Sequence, residues 1–246
     1  MIIVAKEPSK FGEITILRYR GTSSHVYMQG GHFQSEADCN GISLTPYIHA
    51  MYGLLAQTAA RRVLMIGCGG GTLATMLTKA NRRVTIVEIN PVSIVLAQRY
   101  FSLPPGITCH IDDGSTFLKR SRKSYDAIIV DAFIGDETPP ELSSVDFFRL
   151  ARQRLRTPGF IFVNVVAERD TETRADVVGA RIARAGLEAR VLDAPGGVSG
   201  NSIVIGGAAV NLAPPTLLLR PNGPYVSLSE ELQGMRLRRW RPDLRC

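Results

Sequence analysis

The stretch Arg61–Leu77, RRVLMIGCGGGTLATML, decides the fold. Its apolar run, Val63 to Ile66, reads as a buried strand; glycine follows at 67, 69, 70 and 71, and the residues from Thr72 are helix formers. A strand that turns through bare backbone into a helix leaves unpaired N–H groups at the helix start, which favours an anionic or polar ligand there. Alone, such a turn is weak evidence, because glycine serves any close strand-to-helix connection.

Downstream, apolar runs alternate with helical stretches: RVTIVEIN, a helix from Pro91 to Phe101, ITCHIDD, YDAIIVDAF, a helix around Phe147 to Leu155, GFIFVNVV, a helix after Thr173, LEARVLD and NSIVIGG. That order predicts an α/β fold, a Rossmann-like, doubly wound and mostly parallel sheet covered on both faces. Upstream, EITILRYRGTSSHVYMQGGHFQSE alternates β-branched and aromatic residues with polar ones and breaks at Gly21 and Gly30–Gly31, predicting a small antiparallel sheet. Tyr47, Met51, Leu54 and Leu55 recur at helical spacing, predicting a helix over roughly Pro46 to Ala60. The expected division is a β-rich segment, 1–45, and a cofactor-binding domain, 46–246, with no internal repeat.

The composition, 45% hydrophobic and 21% charged over 246 residues, is that of a globular chain. The start, MIIVAKEPSKFGE, lacks the pattern of a secretory leader, and no run reaches the ~18 apolar residues of a membrane span. Cys39, Cys68, Cys109 and Cys246 show no metal or redox spacing, and His25, His32, His49 and His110 form no zinc cluster. Reduced thiols, a cytoplasmic setting and no metal are the expectations. The net charge of +7 and the tail MRLRRWRPDLRC, with five arginines around Trp240, raise nucleic acid as a partner. No nucleic-acid-binding module is recognisable, so a solvated basic face or a subunit contact is favoured for the tail.

Further polar groups fall at predicted strand ends. Glu88 closes VTIVEIN at about the ~20-residue separation expected of a carboxylate that accepts ribose hydroxyls. Asp113 and Gly114 end the third strand in HIDDGSTFL, and Asp131 ends the fourth in YDAIIVDAF. Carboxyl ends of strands form the crevice in which open α/β sheets bind ligands. The segment Asp126 to Phe148 also carries Asp136, Glu137, Glu141 and Asp146 without a lysine or arginine, an acidic island suited to a cationic substrate.

The order of VLMIGCGGGTL, VEIN, DDGSTFL and YDAIIVDAF, after a β-rich segment with GGHFQSE, resembles the spermidine synthase-like group of S-adenosylmethionine-type transferases, over roughly Gln29 to Asn164. The resemblance implies a class I methyltransferase-like fold, a tendency to form a homodimer, and a small-molecule amine as acceptor. It implies that Gly67, Gly69 and Gly71 lie along the cofactor's tail, Glu88 holds its ribose, Asp113 and Gly114 meet its adenine, and Gln34 lines the pocket. Asp131 would be the base beside the reacting amine. The donor would be S-adenosylmethionine or its decarboxylated form, leaving S-adenosylhomocysteine or methylthioadenosine.

Three departures bear on the reaction. Aminopropyltransferases carry an aspartate inside the glycine run, where this chain has Gly70; a carboxylate there would repel the carboxylate of intact S-adenosylmethionine by roughly 4 kcal/mol at ~4 Å and an effective dielectric of about 20. Glycine removes that penalty and leaves the N–H groups of Gly69 to Thr72 as an expected carboxylate site. The family's second aspartate after the base, followed by proline, is replaced by Ile134 and Gly135, and its Tyr-x-Glu element has no clear counterpart. Asp136, Glu137 and Tyr47 are the candidate substitutes for amine binding. Aminopropyl transfer and methyl transfer therefore both stand, beside a non-catalytic cofactor binder. A nicotinamide-dependent oxidoreductase is disfavoured, since Thr72 stands where its third glycine would be.

Overall fold

The computed structural model describes residues 1–135, 137–166, 173–193, 200–223 and 225–242. The chain opens with four antiparallel strands, β1 (Ile2–Glu7), β2 (Ile14–Arg18), β3 (His25–Gln29) and β4 (His32–Ala37), in that spatial order. Helix α1 (Pro46–Ala56) leads into β5 (Arg62–Ile66), α2 (Thr72–Lys79), β6 (Arg83–Glu88), α3 (Pro91–Tyr100), β7 (Thr108–Ile111), α4 (Gly114–Arg120) and β8 (Tyr125–Val130). Then follow α5 (Val145–Arg154), β9 (Leu155–Val166), α6 (Arg174–Arg184), β10 (Ala189–Asp193), β11 (Asn201–Gly207), α7 (Tyr225–Gly234) and β12 (Arg236–Arg239).

The large sheet runs β12-β10-β11-β9-β8-β5-β6-β7. From β9 to β7 neighbouring strands are parallel, and β11, β10 and β12 extend the sheet antiparallel at one edge. Strand order reverses between β5 and β8, so the switch-point crevice opens beyond Ile66 and Val130.

Continuous apolar strands follow from burial on both faces. On β5, Val63 and Met65 join a core with α1 and α2, while Leu64 and Ile66 join a second core with α4, α5 and α6. Complete burial of such side chains is worth ~1.5–3 kcal/mol each. The N-terminal sheet shares a third core with α3, in which Ile14, Ile16 and Tyr27 pack on Leu96 and Phe101. This contact brings β4 beneath the glycine turn.

Two local expectations are corrected. Helix α1 stops at Ala56 rather than Ala60, because Thr58 Oγ1 bonds the Leu55 carbonyl at 2.7 Å and Gln57 exchanges hydrogen bonds with the backbone of Ala213. The expectation of a solvated basic face at the arginine-rich tail holds only in part, because Arg236 and Arg239 are exposed while Arg238 and Arg241 are tied to the fold. Asp176, 1% exposed on α6, accepts from Arg238 at 2.6 and 3.1 Å, from Arg241 Nε at 2.9 Å and from the Arg241 amide at 2.7 Å. Trp240 packs on Gly179, whose missing Cβ leaves room for the indole. No helix among the described residues is long and apolar enough to cross a membrane.

Burial works against the Asp176 charge, but the bonds from Arg238 and Arg241 overcome it and hold the carboxyl below its usual range. A depressed native pKa contributes stability above the unfolded value of ~3.9 that disappears as pH falls through the native one. Asp176→Ala should therefore lower stability at pH 7 by about 3–5 kcal/mol. In denaturant unfolding, the gap to the wild type should narrow below pH ~4.

Candidate active site

Gly67 leaves β5 with φ 95, its amide donating to the Val87 carbonyl at 2.9 Å, while the Asp131 amide donates to the Ile66 carbonyl at 2.9 Å. A Cβ at Gly67 would stand 2.1 Å from the Asp131 carbonyl oxygen, so glycine is demanded both by conformation and by the approach of two strand ends. Glu88 holds the turn: Oε2 accepts from the Cys68 amide and Oε1 from the Asn90 amide, each at 2.8 Å. Burial raises the Glu88 carboxyl, and these backbone bonds pull it back down. Each oxygen has a second lone pair, leaving capacity for a ribose hydroxyl.

Two cavities meet here. The smaller, about 110 Å³, is lined by Gly67, Gly69, Glu88, Asn90, Asp113 and Gly114. The larger, about 390 Å³, is lined by Thr45, Tyr47, Asn164, Asn201 and Glu231. Gln34, Cys68, Gly69, Asp131 and Phe133 line both. Asp131 thus stands at the junction of the two cavities.

Polar atoms without a partner lie on both sides. Asn90 Nδ2 in the small cleft, and Thr45 Oγ1 and Glu231 Oε2 in the large cavity, are buried without hydrogen-bond partners. Each such group costs ~1–3 kcal/mol until a ligand supplies the missing bond. An adenosyl ligand fits the first set, since Asn90 offers a donor beside the acceptor Glu88; a cationic amine fits Glu231. Asp113 caps α4, its Oδ1 accepting from the Thr116 amide at 2.8 Å, which leaves Oδ2 for a ligand. Gly114 lets α4 start against β5, because a Cβ there would meet Ile66 Cγ2 at 2.4 Å.

Asp131 lies at the floor of the junction. Asn164 Nδ2 donates to its Oδ1 at 2.9 Å, Asn201 Nδ2 donates to Asn164 Oδ1 at 2.9 Å, and the Tyr47 hydroxyl stands beside the same carboxylate. Burial pushes the carboxyl up to about 6, with Asn164 and Tyr47 opposing the rise. Burial, reinforced by Glu88, pushes the Cys68 thiol well up, so it stays protonated and is no nucleophile.

Other expected residues are placed differently. Gly71 lines neither cavity; at φ 65 it starts α2 against Leu103 and Ala97. Two of the amides expected to form a carboxylate site are already used, the Gly70 amide donating to Ser35 Oγ at 3.1 Å and the Gly71 amide to the Cys68 carbonyl at 2.7 Å. A Cβ at Gly70 would come within 3.0 Å of both Ser35 and Phe101, so packing from β4 and α3 makes position 70 glycine.

The acidic island disperses in part: Asp131 and Glu141 line the smaller cavity, and the others lie elsewhere or outside the described residues. Asp126 sits at the opposite end of β8 on the amides of Arg61 and Arg62, and Asp146 pairs with Arg149 at 2.9 Å. Exposed Glu137 lies 4.0 Å from Arg174, outside both cavities, and Asp136 lies outside the described residues. Acidity in the acceptor cavity comes instead from Asp131 and Glu231. No group of three or more His, Cys, Asp or Glu among the described residues is placed to hold a metal ion.

Asp131 carries a cost to stability. Because its native pKa is raised, the ionised form destabilises the fold; the penalty grows as pH climbs from ~3.9 and is complete above about 6. Neutral Asp131→Asn should stabilise the protein by about 1–3 kcal/mol at pH 8 and not at pH 4, as measured by denaturant unfolding. A loss of stability at pH 8 would show that the Asn164 and Tyr47 bonds outweigh burial.

The family model of the spermine/spermidine synthase domain matches residues 47–177. A polyamine aminopropyltransferase of Vibrio vulnificus (strain CMCP6) is 33% identical over 127 residues, 48% of this chain and 42% of the relative. An N-terminal histidine N-methyltransferase of Emericella nidulans is 34% identical over 126 residues, 49% of this chain and 23% of the relative. The chain thus matches less than half the length of these curated relatives. A solved probable spermidine synthase from Corynebacterium glutamicum ATCC 13032 superposes with a TM-score of 0.78 at 18% identity, covering 98% of this chain and 92% of that one. Spermidine synthase from Thermotoga maritima gives 0.66 at 18% identity, covering 94% and 87%. At that identity the structural likeness speaks for the fold alone. Because the family match extends over more than half of the residues and takes in both strand ends that form the crevice, this chain belongs to the spermine/spermidine synthase domain family.

Proposed function

We propose that this chain alkylates an amine with the group carried by an adenosyl sulfonium, in the first instance the aminopropyl group of decarboxylated S-adenosylmethionine. The observation that carries this reading is Asp131, the one carboxylate among the described residues that lines both the cleft of Glu88 and Asp113 and the cavity of Glu231. The Vibrio relative's activity, polyamine aminopropyl transfer, supports the choice of group.

In this mechanism Glu88 and Asn90 fix the ribose and Asp113 the adenine, so the sulfonium carbon faces the larger cavity. The acceptor nitrogen loses a proton to Asp131 and attacks that carbon in line; the C–N bond forms, and the C–S electron pair returns to sulfur. Methylthioadenosine and the extended amine result. Most of the acceleration comes from holding the two reactants in this geometry. Glu231 receives a second, non-reacting ammonium of the acceptor, and Tyr47 and Asn164 orient Asp131.

Methyl transfer is the second reading, favoured by Gly70. Ser35 and Phe101 fill the place of the family's aspartate, so no carboxylate on the glycine run selects the decarboxylated donor. The Emericella relative, named as an N-methyltransferase, is consistent with that choice. Calorimetry with the two donors side by side, and identification of methylthioadenosine or S-adenosylhomocysteine as product, separates the readings; absence of binding by either donor and by methylthioadenosine would defeat both.

Asp131 accepts a proton only when ionised, so kcat/KM should fall about tenfold per pH unit below ~6. Asp131→Asn should lower turnover ~100-fold or more while methylthioadenosine still binds. Asn164→Ala removes a bond that lowers the carboxyl's pKa and should move the acidic limb of the profile upward.

A further inference from the structure

The amino ends of the parallel strands, on the side of the sheet opposite the active site, enclose a groove of about 870 Å³. Its charged lining comes from successive segments: Arg62 at the start of β5, Arg82 and Arg83 before and at the start of β6, Arg122 and Lys123 before β8, and Arg156 on β9. Arg82 is spent on the fold, its guanidinium donating to the carbonyls of Leu55, Thr58 and Ala60. Arg156 stands 3.6 Å from Asp126, whose other bonds go to the amides of Arg61 and Arg62. One carboxylate therefore faces a group of exposed cations, and their mutual repulsion is a cost that a bound anion would relieve.

A second observation points to a ligand. Tyr125, only 3% exposed, lines the groove with a hydroxyl that makes no hydrogen bond of normal geometry among the described residues. Ser121 is close enough to influence the phenol's titration but forms no hydrogen bond of normal geometry with it. Thr85, Thr108 and Ser124 add hydroxyls to the same wall. Guanidinium and ammonium groups around hydroxyl donors are the chemistry that binds phosphoryl oxygens.

We propose that this groove is a second binding site, separate from the catalytic cleft, for a compact anion bearing several linked phosphates. The cations ring one concavity instead of tracking along a surface, and its volume falls in the range of small-molecule pockets. Both features favour a nucleoside polyphosphate or inorganic polyphosphate over a nucleic-acid strand. The inference does not depend on which group the active site transfers.

Calorimetry of the full chain at physiological salt, with inorganic triphosphate, ATP and a short single-stranded RNA, tests it. Saturable 1:1 binding of triphosphate is expected, undiminished by saturating methylthioadenosine and weakened by at least ~10-fold in Arg83→Gln/Lys123→Gln. Tyr125→Phe, which removes only the unpartnered hydroxyl, should weaken it without lowering thermal stability. Equal affinity for ATP and triphosphate would identify the phosphate chain alone as the ligand; tighter ATP would add the nucleoside. Absence of saturable binding by both, unchanged affinity in the double variant, competition by methylthioadenosine, or tighter binding of RNA than of triphosphate would each overturn the proposal.

Discussion

The close passage of Gly67 by Asp131 constrains everything else in the site. Strand β5 must end where the carbonyl of Asp131 lies 2.1 Å from the position a Cβ would take, and only a residue without one lets the ends of β5 and β8 pass so closely before the two chains turn apart. That separation is the switch-point crevice. Once Gly67 turns away, the Cys68 amide is presented to Glu88, and the carboxylate that closes the loop becomes a wall of the donor cleft. The same constraint places the Asp131 side chain at the junction of the two cavities.

The sheet's antiparallel edge completes the other half of the site. Asn164 on β9 and Asn201 on β11 are neighbours because these strands pair antiparallel, Asn201 standing opposite Val166 and Asn164 opposite Ile203. Their side chains form a directed chain of amides ending on Asp131, which fixes the carboxylate without adding charge. A cation in that place would hold the carboxyl low; neutral donors oppose the effect of burial only in part and leave the pKa at about 6. The raised pKa is thus produced by the absence of a counter-charge as much as by burial.

The parts of this arrangement legible in the sequence are those fixed by local periodicity. Gly67, Glu88, Asp113 and Asp131 each end or follow an apolar strand, and parallel alternation carries all of them to one side of the sheet. Gln34 and Tyr47 were reached through the family resemblance and by analogy, and both do line the larger cavity. Ser35, Asn164, Asn201 and Glu231 carry no such signal, since tertiary pairing alone brings β4, β9, β11 and α7 to the cleft. Counting acids along the chain misled for a related reason. Asp126 and Asp131 bracket β8, and five residues of extended chain at about 3.3 Å each put them roughly 17 Å apart, at opposite ends of the sheet. Gly70 was read as space for a ligand when it is space for Ser35 and Phe101.

That division of charge between the ends of the sheet also explains why the net charge of +7 is a poor guide to the substrate. The carboxyl-end crevice gathers Glu88, Asp112, Asp113, Asp131, Glu141 and Glu231, and the buried ones among them set the local potential where water is scarce. Part of the basic excess is neutralised within the fold, as where Arg238 and Arg241 hold Asp176. Much of the remainder lines the amino-end groove, a sheet's length from the active site and beyond the ~8 Å over which exposed charges act at physiological salt. The cavity holding Asp131 and Glu231 is therefore locally acidic despite the sign of the whole molecule, and a cation approaching it is drawn in by near charges while the far cations are screened.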